Sequence, residues 1–583
     1  MESVNPETAK HISEERKEDF PPIIPDIAAW PINKLTEDRN AFVREVEDIT
    51  FNSLTRKNHT FLKEVLQKTI YQEQNRMKEE PWHIDPPNDN LFWKKIRNRL
   101  PAQDNADPQD EINKKSAKNV KDLLSMVIHR YTEEIVGSFN VQTYHMIRRI
   151  LTVLFRRLLA KGLDIRDLFG KNKKRVLERL KVYGPIEEIR ELAKMGTLVI
   201  LPTHSSNLDS VLIGYTNDLK AGLPLMAYGA GLNLYNYSLP AYFMNRLGAY
   251  RVDRRKKNAI YLATLNTVSR LAIEKGTNSS FFPGGTRSRS GEIEQKLKLG
   301  LLSTVIEAQR NILQSGKKTK IFIIPMVVSY HFVLEAKSLI EQHLKKTGKE
   351  KYIKSQNELK SIKSWMKFLY QFLSKSSDIS ISFGKPLDVM GNFVDSQGNS
   401  YDERSQYVAL EDYFVSEGAI SANHQRESVY TKRLGDIIAT RYLAENIILS
   451  SHLVSYVAFQ ILKNHFINLD LFNLLRLAEN EISFDMESFV KQTDVVIQLL
   501  KEKAANEELK LPEIFIKSAE EIVKDGIKKS GTYHTRQPLR LDKKGNIISQ
   551  DFRLLYFYHN RIETYGFSNE IAWQVHPMIQ VNA

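Results

Sequence analysis

Short apolar runs alternate with helical segments between residues 184 and 395. The runs with buried-strand character are Thr197–Leu201, Ser279–Phe282, Lys320–Tyr330 and the alternating Ile379–Phe383. Helical periodicity fills Ile186–Met195, Lys256–Lys275 and Leu299–Leu313 between them. Alternation of this kind is typical of a sheet with helices on its faces. We therefore predict an α/β fold for residues 184–395, with a mixed sheet flanked by helices.

Three further regions surround this core. Residues 1–35 begin with a highly charged stretch and continue into a proline-rich strip, which predicts a disordered or extended arm. Residues 36–183 and 396–583 are mainly helical in pattern, and Lys543–Asn546 predicts a hairpin-like turn in the second of them. Glycines and prolines interrupt the uncharged segment Ala221–Asn245, and Asn446–Leu462 contains polar residues typical of a buried helix. No spanning helix and no signal peptide are predicted.

Composition narrows the possible chemistry. The 583 residues include no cysteine, which excludes disulfides, thiolate zinc sites and a cysteine nucleophile. The net charge of +14 indicates an anionic partner. Residues 144–181 contribute much of it, and Met146–Leu163 within them is amphipathic with arginines opposite its apolar face. This segment predicts contact with an anionic membrane surface, the alternative being a core helix with a solvated basic face. Nucleic acid is not an expected partner, because no recognition motif accompanies the charge.

A histidine and an aspartate follow the first predicted strand. His204 and Asp209 are five residues apart, across a turn into a helix. A carboxylate that returns to one imidazole nitrogen fixes the tautomer, and the other nitrogen then removes a hydroxyl proton. The same spacing recurs at His465 and Asp470, which we interpret as structural because no catalytic neighbours surround them. Taken alone, His204 could equally be a satisfied structural histidine.

Three downstream blocks favour the catalytic interpretation. The first contains Asp253 and Arg254, and the last is an apolar strand with Pro325 at a predicted pocket wall. The middle block ends a strand with Gly284, Gly285, Thr286, Arg287, Ser288 and Arg289. Glycines allow backbone N–H groups to approach an anion or developing charge, and arginines bind phosphate bidentately.

These four blocks, in this order, resemble the glycerolipid acyltransferase superfamily. Its pattern is H-x-x-x-x-D, a D-R block, F-P-E-G-T-R-S and an apolar block with proline. The resemblance implies a general base at His204 oriented by Asp209, and an acceptor phosphate bound by Arg254, Arg287 and Arg289. It also implies substrate-binding roles near Gly284, Gly285, Thr286, Ser288 and Pro325, with Lys298 matching a lysine that often follows the third block. Gly284 departs from the pattern, since it stands where most members have the glutamate thought to help hold the acceptor.

The flanking helical regions resemble the glycerol-3-phosphate and dihydroxyacetone-phosphate acyltransferase branch. So does the segment Leu554–Asn560, which is similar to a Y-Y-x-N-N motif. The expected reaction transfers an acyl group from acyl-CoA or acyl carrier protein to the sn-1 hydroxyl of glycerol 3-phosphate, without metal or cofactor. The alternatives are a lysophosphatidate acyltransferase and a catalytically silent lipid- or carrier-binding protein. The expected location is cytoplasmic, peripheral on the inner face of a membrane, and residues 221–245 could be an acyl-chain wall or plain core.

Overall fold

The computed structural model describes residues 12–16, 19–82, 85–100, 111–159, 180–235, 238–348, 378–478, 482–532 and 534–579. Its centre is a mixed sheet of eight strands flanked by helices, which confirms the predicted α/β class. The strands are β1 (Glu15–Arg16), β2 (Leu180–Tyr183), β3 (Thr197–Pro202), β4 (Ala227–Gly231), β5 (Ala249–Val252), β6 (Ser279–Ser280), β7 (Ile321–Tyr330) and β8 (Ile379–Phe383).

The strand order is β1-β2-β8-β7-β3-β6-β4-β5. From β7 to β5 all neighbours are parallel, whereas β8 is antiparallel to β7 and β1 is antiparallel to β2. Every residue of β3 and β7 is buried, so both strands read as continuous apolar runs. The parallel strands β3, β6, β4 and β5 therefore bring their carboxyl ends to one edge of the sheet.

Between β1 and β2, the described residues form six helices. They are α1 (Pro31–Glu37), α2 (Arg39–Thr55), α3 (His59–Glu79), α4 (Asp89–Arg99), α5 (Glu111–Ile135) and α6 (Val141–Leu159). The second to fifth of these bury a common apolar cluster that includes Trp93 and Tyr131. The same cluster includes Tyr250 of β5 and Tyr261 of a later helix, so this region packs directly on the sheet.

In the described residues that follow β2, there are twelve further helices. They are α7 (Ile186–Met195), α8 (Asp209–Leu219), α9 (Ser238–Met244), α10 (Ala259–Glu274), α11 (Leu299–Gln314), α12 (Ala336–Lys346), α13 (His424–Ala444), α14 (Ser450–His465), α15 (Leu471–Leu474), α16 (Met486–Ala505), α17 (Ala519–Lys529) and α18 (Phe552–Glu563). Residues 450–462 of α14 are all buried, as the sequence predicts. Helix α18 packs against α14, so the carboxyl-terminal region contributes to the core that supports the sheet.

Short strands complete the carboxyl-terminal half. They are β9 (Phe393–Val394), β10 (Ser400–Tyr401), β11 (Tyr407–Val408), β12 (Val415–Ser416), β13 (Ala419–Ile420), β14 (Ile482–Phe484), β15 (Arg540–Leu541), β16 (Ile547–Ile548) and β17 (Met578–Ile579). Leu541 pairs with Ile547 across the hairpin predicted at Lys543–Asn546.

The sheet extends beyond the boundaries expected from sequence. Strand β2 at Leu180–Tyr183 precedes residue 184 and pairs with β8. Residues 15–16 of the expected arm form β1, while residues 1–11 lie outside the described part of the chain. Strands β4 and β5 lie in segments for which the sequence predicts no strand. Strand β4 contains two glycines in five residues, which hides its strand character.

Helix α6 contains the first part of the predicted basic amphipathic segment. Arg148 Nε lies 2.7 Å from Asp218 Oδ2, and Tyr144 donates to the same oxygen at 2.6 Å. Arg148 therefore takes part in an internal contact, which differs from the lipid-facing role expected of it, whereas Arg149 is exposed. The side chains of residues 153–159 and all of residues 160–179 lie outside the described part. None of the helices in the described ranges is long and apolar enough to cross a membrane.

Candidate active site

His204 lies just beyond the end of β3, and Asp209 begins α8. The turn between them returns the carboxylate to the ring, so that His204 Nδ1 lies 2.8 Å from Asp209 Oδ2. The His204 side chain is 15% exposed and Asp209 is fully buried. With Nδ1–H donating to the carboxylate, Nε2 is the ring nitrogen left to accept a proton. The structure thus forms the histidine–carboxylate pair that the spacing predicts.

Three other donors fix the Asp209 carboxylate. The backbone N–H groups of Ser205 and Ser206 donate to Oδ2 at 2.7 and 2.8 Å. The Tyr330 hydroxyl, at the end of β7, donates to Oδ1 at 2.5 Å. Burial and the negative charge of Asp209 raise the pKa of Tyr330 well above 10, so it remains a donor. Four hydrogen bonds hold the carboxylate in one orientation, and they compensate for its burial.

A cavity of about 210 Å³ opens beside His204 at the carboxyl ends of the parallel strands. Its lining is contributed by the end of β4, by the loops after β3, β5 and β6, and by α8 and α12. The lining residues are His204, Asn207, Ser210, Gly229, Ala230, Gly231, Arg254, Phe282, Thr286, Arg287, Arg289, Leu339 and Gln342. This set includes three arginines and no acidic residue. The volume is smaller than that of a typical drug-sized pocket, which suits a small anionic ligand.

The three arginines have different surroundings. Arg287 donates to Glu335 at 3.1 Å, and Glu335 in turn accepts from Ser206 and Asn207. Arg254 and Arg289 have no hydrogen bond or ion pair with any residue that the structure describes. Burial and the neighbouring positive charge of Arg287 lower the pKa of Arg254. Like charges placed together in this way leave a net positive field, which a bound phosphate would neutralise.

The loop after β6 is attached directly to the His204 segment. The Phe282 ring stacks on the imidazole with centroids 4.1 Å apart. Ser288 N–H donates to the His204 carbonyl at 2.7 Å, and the His204 N–H donates to Glu294 Oε1 at 2.9 Å. The arginine-bearing loop and the imidazole are therefore held as one unit.

Comparison with known protein families matches residues 181–329 to the family model described as Acyltransferase. This match covers β2 to β7 and includes the His204–Asp209 pair and the three arginines. Residues 181–329 therefore form an acyltransferase domain, and this domain is similar to those of the glycerolipid acyltransferase superfamily. The matched acyltransferase domain is the part of the chain that the four blocks of sequence identify.

Relatives with curated names include three bacterial glycerol-3-phosphate acyltransferases. That of Ectopseudomonas mendocina is 27% identical over 224 residues, covering 38% of this chain and 25% of that protein. That of Pseudomonas putida strain W619 is 24% identical over 340 residues, covering 58% of this chain and 35% of that protein. That of Baumannia cicadellinicola is 27% identical over 213 residues, covering 36% of this chain and 23% of that protein. The chain spans about a third or less of the length of these relatives.

Several residues expected at the site lie outside the cavity lining of the acyltransferase domain. Gly285 N–H donates to the Phe282 carbonyl, so it is not free to face developing charge as expected. Gly284 faces Glu294 instead. Exposed Lys298 packs over Gly285, and its own N–H donates to the Pro283 carbonyl.

Pro325 and Ser288 also support the acyltransferase domain from behind the cavity. Pro325 is buried within β7 beside Leu201, and its carbonyl accepts from Gly384, so it is a sheet residue and not a pocket wall. The Ser288 side chain donates to the Glu292 carbonyl and lines a separate, smaller cavity. Of the described part of the uncharged segment 221–245, only Gly229, Ala230 and Gly231 line the cavity beside His204.

The second histidine–aspartate spacing forms no pair. His465 lies 3.3 Å from His576, and Asp470 instead caps α15 by accepting from Asn473 N–H. Its interpretation as structural agrees with these contacts.

Sequence reasoning missed the residues that hold the pair in place. Tyr330, Glu335 and Glu294 lie far from His204 in sequence. Through the fold, Tyr330 donates to Asp209, Glu335 accepts from the Asn207 N–H, and Glu294 accepts from the His204 N–H. One signal in the sequence points to Tyr330, because this residue ends a predicted apolar strand. That end lies at the same edge of the sheet as the end of β3.

Proposed function

We propose that this chain transfers a fatty acyl group from a thioester to the sn-1 hydroxyl of glycerol 3-phosphate. The observation behind the proposal is one cavity that joins the His204–Asp209 pair to three arginines. A phosphate bound by the arginines would place a hydroxyl of a short acceptor at the imidazole. The names of the relatives support this acceptor.

In the proposed mechanism, His204 Nε2 removes the hydroxyl proton as the oxygen attacks the thioester carbonyl. The C–O bond forms, the C–S bond breaks, and the proton passes to the departing thiolate. Asp209 stabilises the imidazolium formed in between. The reaction uses two substrates and these side chains, and no step calls for a metal or cofactor.

The donor is proposed to be acyl-CoA or an acyl carrier protein. A second cavity of about 510 Å³ adjoins the first, because both are lined by Gly231 and Arg254. It lies between α3 and the loop after β5, with Trp82 in its wall. This cavity gives a thioester a route to His204 that leaves the phosphate cavity to the acceptor.

The chain is further proposed to work at the inner face of a membrane, where an acylated product would be released. Exposed Arg149 lies on the same helix as Met146 and Ile150, whose exposed fractions are 43% and 49%. Apolar and basic side chains together suit an anionic lipid surface.

Purified chain should be assayed with labelled glycerol 3-phosphate and each donor in turn. Formation of 1-acylglycerol 3-phosphate supports the proposal and identifies the donor. Transfer only to lysophosphatidate would instead establish a later acylation, and no transfer with either acceptor, despite binding of donor, would indicate a silent binding protein.

A further inference from the structure

The Glu294 carboxylate touches the backbone of two site segments at once. Its Oε1 accepts from the His204 N–H at 2.9 Å. A Cβ atom on residue 284 would lie 2.5 Å from both Cδ and Oε2 of Glu294. The carboxylate therefore occupies the space where a side chain at position 284 would begin, and it bridges that position to the catalytic histidine.

One oxygen of the Glu294 carboxyl group is enclosed. Oε2 is solvent-inaccessible and has no hydrogen-bond partner among the described residues. Glu294 is not part of the cavity lining, so it does not reach the acceptor. A buried polar group of this kind is costly unless the structure needs it, and here it links the main chains of two loops.

The backbone at Gly284 does not itself require glycine. Its φ lies outside the left-handed region, unlike that of Gly285 at +76°. The end of the Glu294 side chain occupies the space that a side chain at 284 would enter. A glutamate at 284 would therefore require the Glu294 carboxyl group to leave its present position beside the His204 N–H.

We propose that Glu294 is a positioning residue, which supplies from the following loop the carboxylate that the superfamily pattern has at position 284. It acts through the main chain of His204, whose carbonyl is fixed on the other side by Ser288 N–H. The carboxylate sets the direction of the imidazole and holds the arginine-bearing loop against it. This inference rests on the proposed acyltransfer for its kinetic readout.

An exchange of the two residues tests the inference. Glu294→Ala and Gly284→Glu should each lower kcat on the order of 100-fold, because a small misplacement of a catalytic group has an effect of that size. The double variant Gly284→Glu/Glu294→Ala should regain at least about tenfold over either single variant, since one carboxylate again fills one space. Glu294→Gln keeps an acceptor for His204 N–H, so it should stay within about tenfold of the wild type.

The matched control is Glu292→Ala, an exposed carboxylate two residues away, which should retain wild-type kcat. Hydrogen exchange of the peptide spanning residues 203–209 gives a readout independent of turnover. Glu294→Ala should accelerate exchange there, and the double variant should restore protection. If Glu294→Ala fails to fold, Glu294→Gln and the double variant decide the question.

The inference is overturned if Glu294→Ala keeps more than about a third of wild-type kcat. It is also overturned if the double variant is no better than the product of the single effects, or if exchange at 203–209 is unchanged. Absence of acyltransfer in the wild type would instead reject the proposed function, and the exchange measurement would still test the position of Glu294.

Discussion

The His204 imidazole has one nitrogen held by Asp209 and the other facing a cavity. His204→Ala should abolish acyl transfer, because no other base lines that cavity in the described residues. Asp209→Asn should lower turnover by about 10⁴-fold, since the imidazole would lose its fixed tautomer. Turnover of each purified variant is measured with labelled glycerol 3-phosphate.

His465→Ala is the matched control for the histidine, and it should leave turnover unchanged because its partner is His576 and not a carboxylate. Retention of more than a tenth of wild-type turnover by His204→Ala would contradict the role of general base.

The unpaired arginines are expected to determine acceptor affinity. Arg254→Ala and Arg289→Ala should each weaken binding of glycerol 3-phosphate by about ten- to a hundredfold, the value of one charge-assisted contact. Donor affinity should change little for Arg289→Ala, because Arg289 lines the phosphate cavity and not the second cavity. Isothermal titration with each substrate measures the difference.

Arg433→Ala, an exposed arginine on α13, serves as the comparison and should leave both affinities unchanged. If Arg289→Ala weakened donor and acceptor binding equally, Arg289 would not belong to a dedicated phosphate site.

Glu294 should make stability depend on pH. Burial raises the pKa of Glu294 from 4.5 to about 8, and Asp209 adds to the increase, whereas the His204 N–H and the Arg561 charge oppose it. The folded protein therefore binds the proton more tightly than the unfolded chain does. The stability that this proton contributes is complete below pH 4.5 and is lost as pH rises through about 8.

Glu294→Gln cannot ionise, so its advantage over the wild type should grow between pH 5 and 8. The growth should be at most about 1.4 kcal/mol per pH unit, and it should level off above pH 8. Urea unfolding at several pH values measures it. Parallel stability curves for the two proteins would show that Glu294 is ionised throughout.

Local spacing was enough to predict which residues pair at the site. His204 and Asp209 meet across a five-residue turn, so their contact depends on little beyond the strand–helix junction. Tyr330 and Glu294 are 126 and 90 residues from His204 in the chain. Their positions depend on sheet order and on a loop path, which no local pattern encodes.

At the scale of elements, four parallel strands explain why distant blocks meet. Strands β3, β5 and β6 were followed by the blocks with His204, Arg254 and Arg287, and all three strands end at one edge. The sequence predicts β3 and β6, but it does not predict the glycine-containing β4 that joins β6 to β5. Gly229 and Gly231 have no side chains, which weakens the strand signal of β4. The same feature leaves space for the cavity that these two glycines line.

Helix α18 places a cation behind the site. Buried Arg561 donates to Asn446, to the Val328 carbonyl and to Ser329. Burial lowers its pKa to about 10, while the neighbouring acidic groups of Tyr565, Glu294 and Asp209 oppose that change. The carboxyl-terminal region thereby supplies a positive charge beneath the catalytic pair.

Arg561→Met should destabilise the fold by about 3–5 kcal/mol, because it leaves buried acceptors and acidic groups uncompensated. The free energy of unfolding in urea measures the effect. Arg433→Met on the exposed face of α13 should change it by less than about 0.5 kcal/mol. A loss below about 1 kcal/mol for Arg561→Met would mean that water replaces the guanidinium without cost.

At the scale of the whole molecule, the charge of +14 is unevenly placed along the chain. Residues 144–181 contain twelve lysines and arginines against three acidic residues. Arg148 forms an ion pair with Asp218, so among the described side chains of this segment Arg149 is the exposed basic residue. Reversal of Arg148 would break a buried ion pair, which makes it unsuitable for a test of surface binding.

The membrane proposal is tested by sedimentation with vesicles. Attraction to anionic headgroups contributes about 1 kcal/mol per basic residue near the surface, and it weakens as the Debye length falls from about 10 Å at 0.1 M salt to about 3 Å at 1 M. The wild type should sediment with anionic vesicles at low salt, come off at high salt and bind neutral vesicles poorly.

Reversal of Arg149, Lys171, Lys173 and Lys174 to glutamate should release the protein from anionic vesicles without loss of transfer to soluble glycerol 3-phosphate. The control Lys432→Glu, an exposed lysine on α13, should bind like the wild type. Equal sedimentation with neutral and anionic vesicles would show instead that the exposed Met146 and Ile150 side chains, and not charge, hold the protein to lipid.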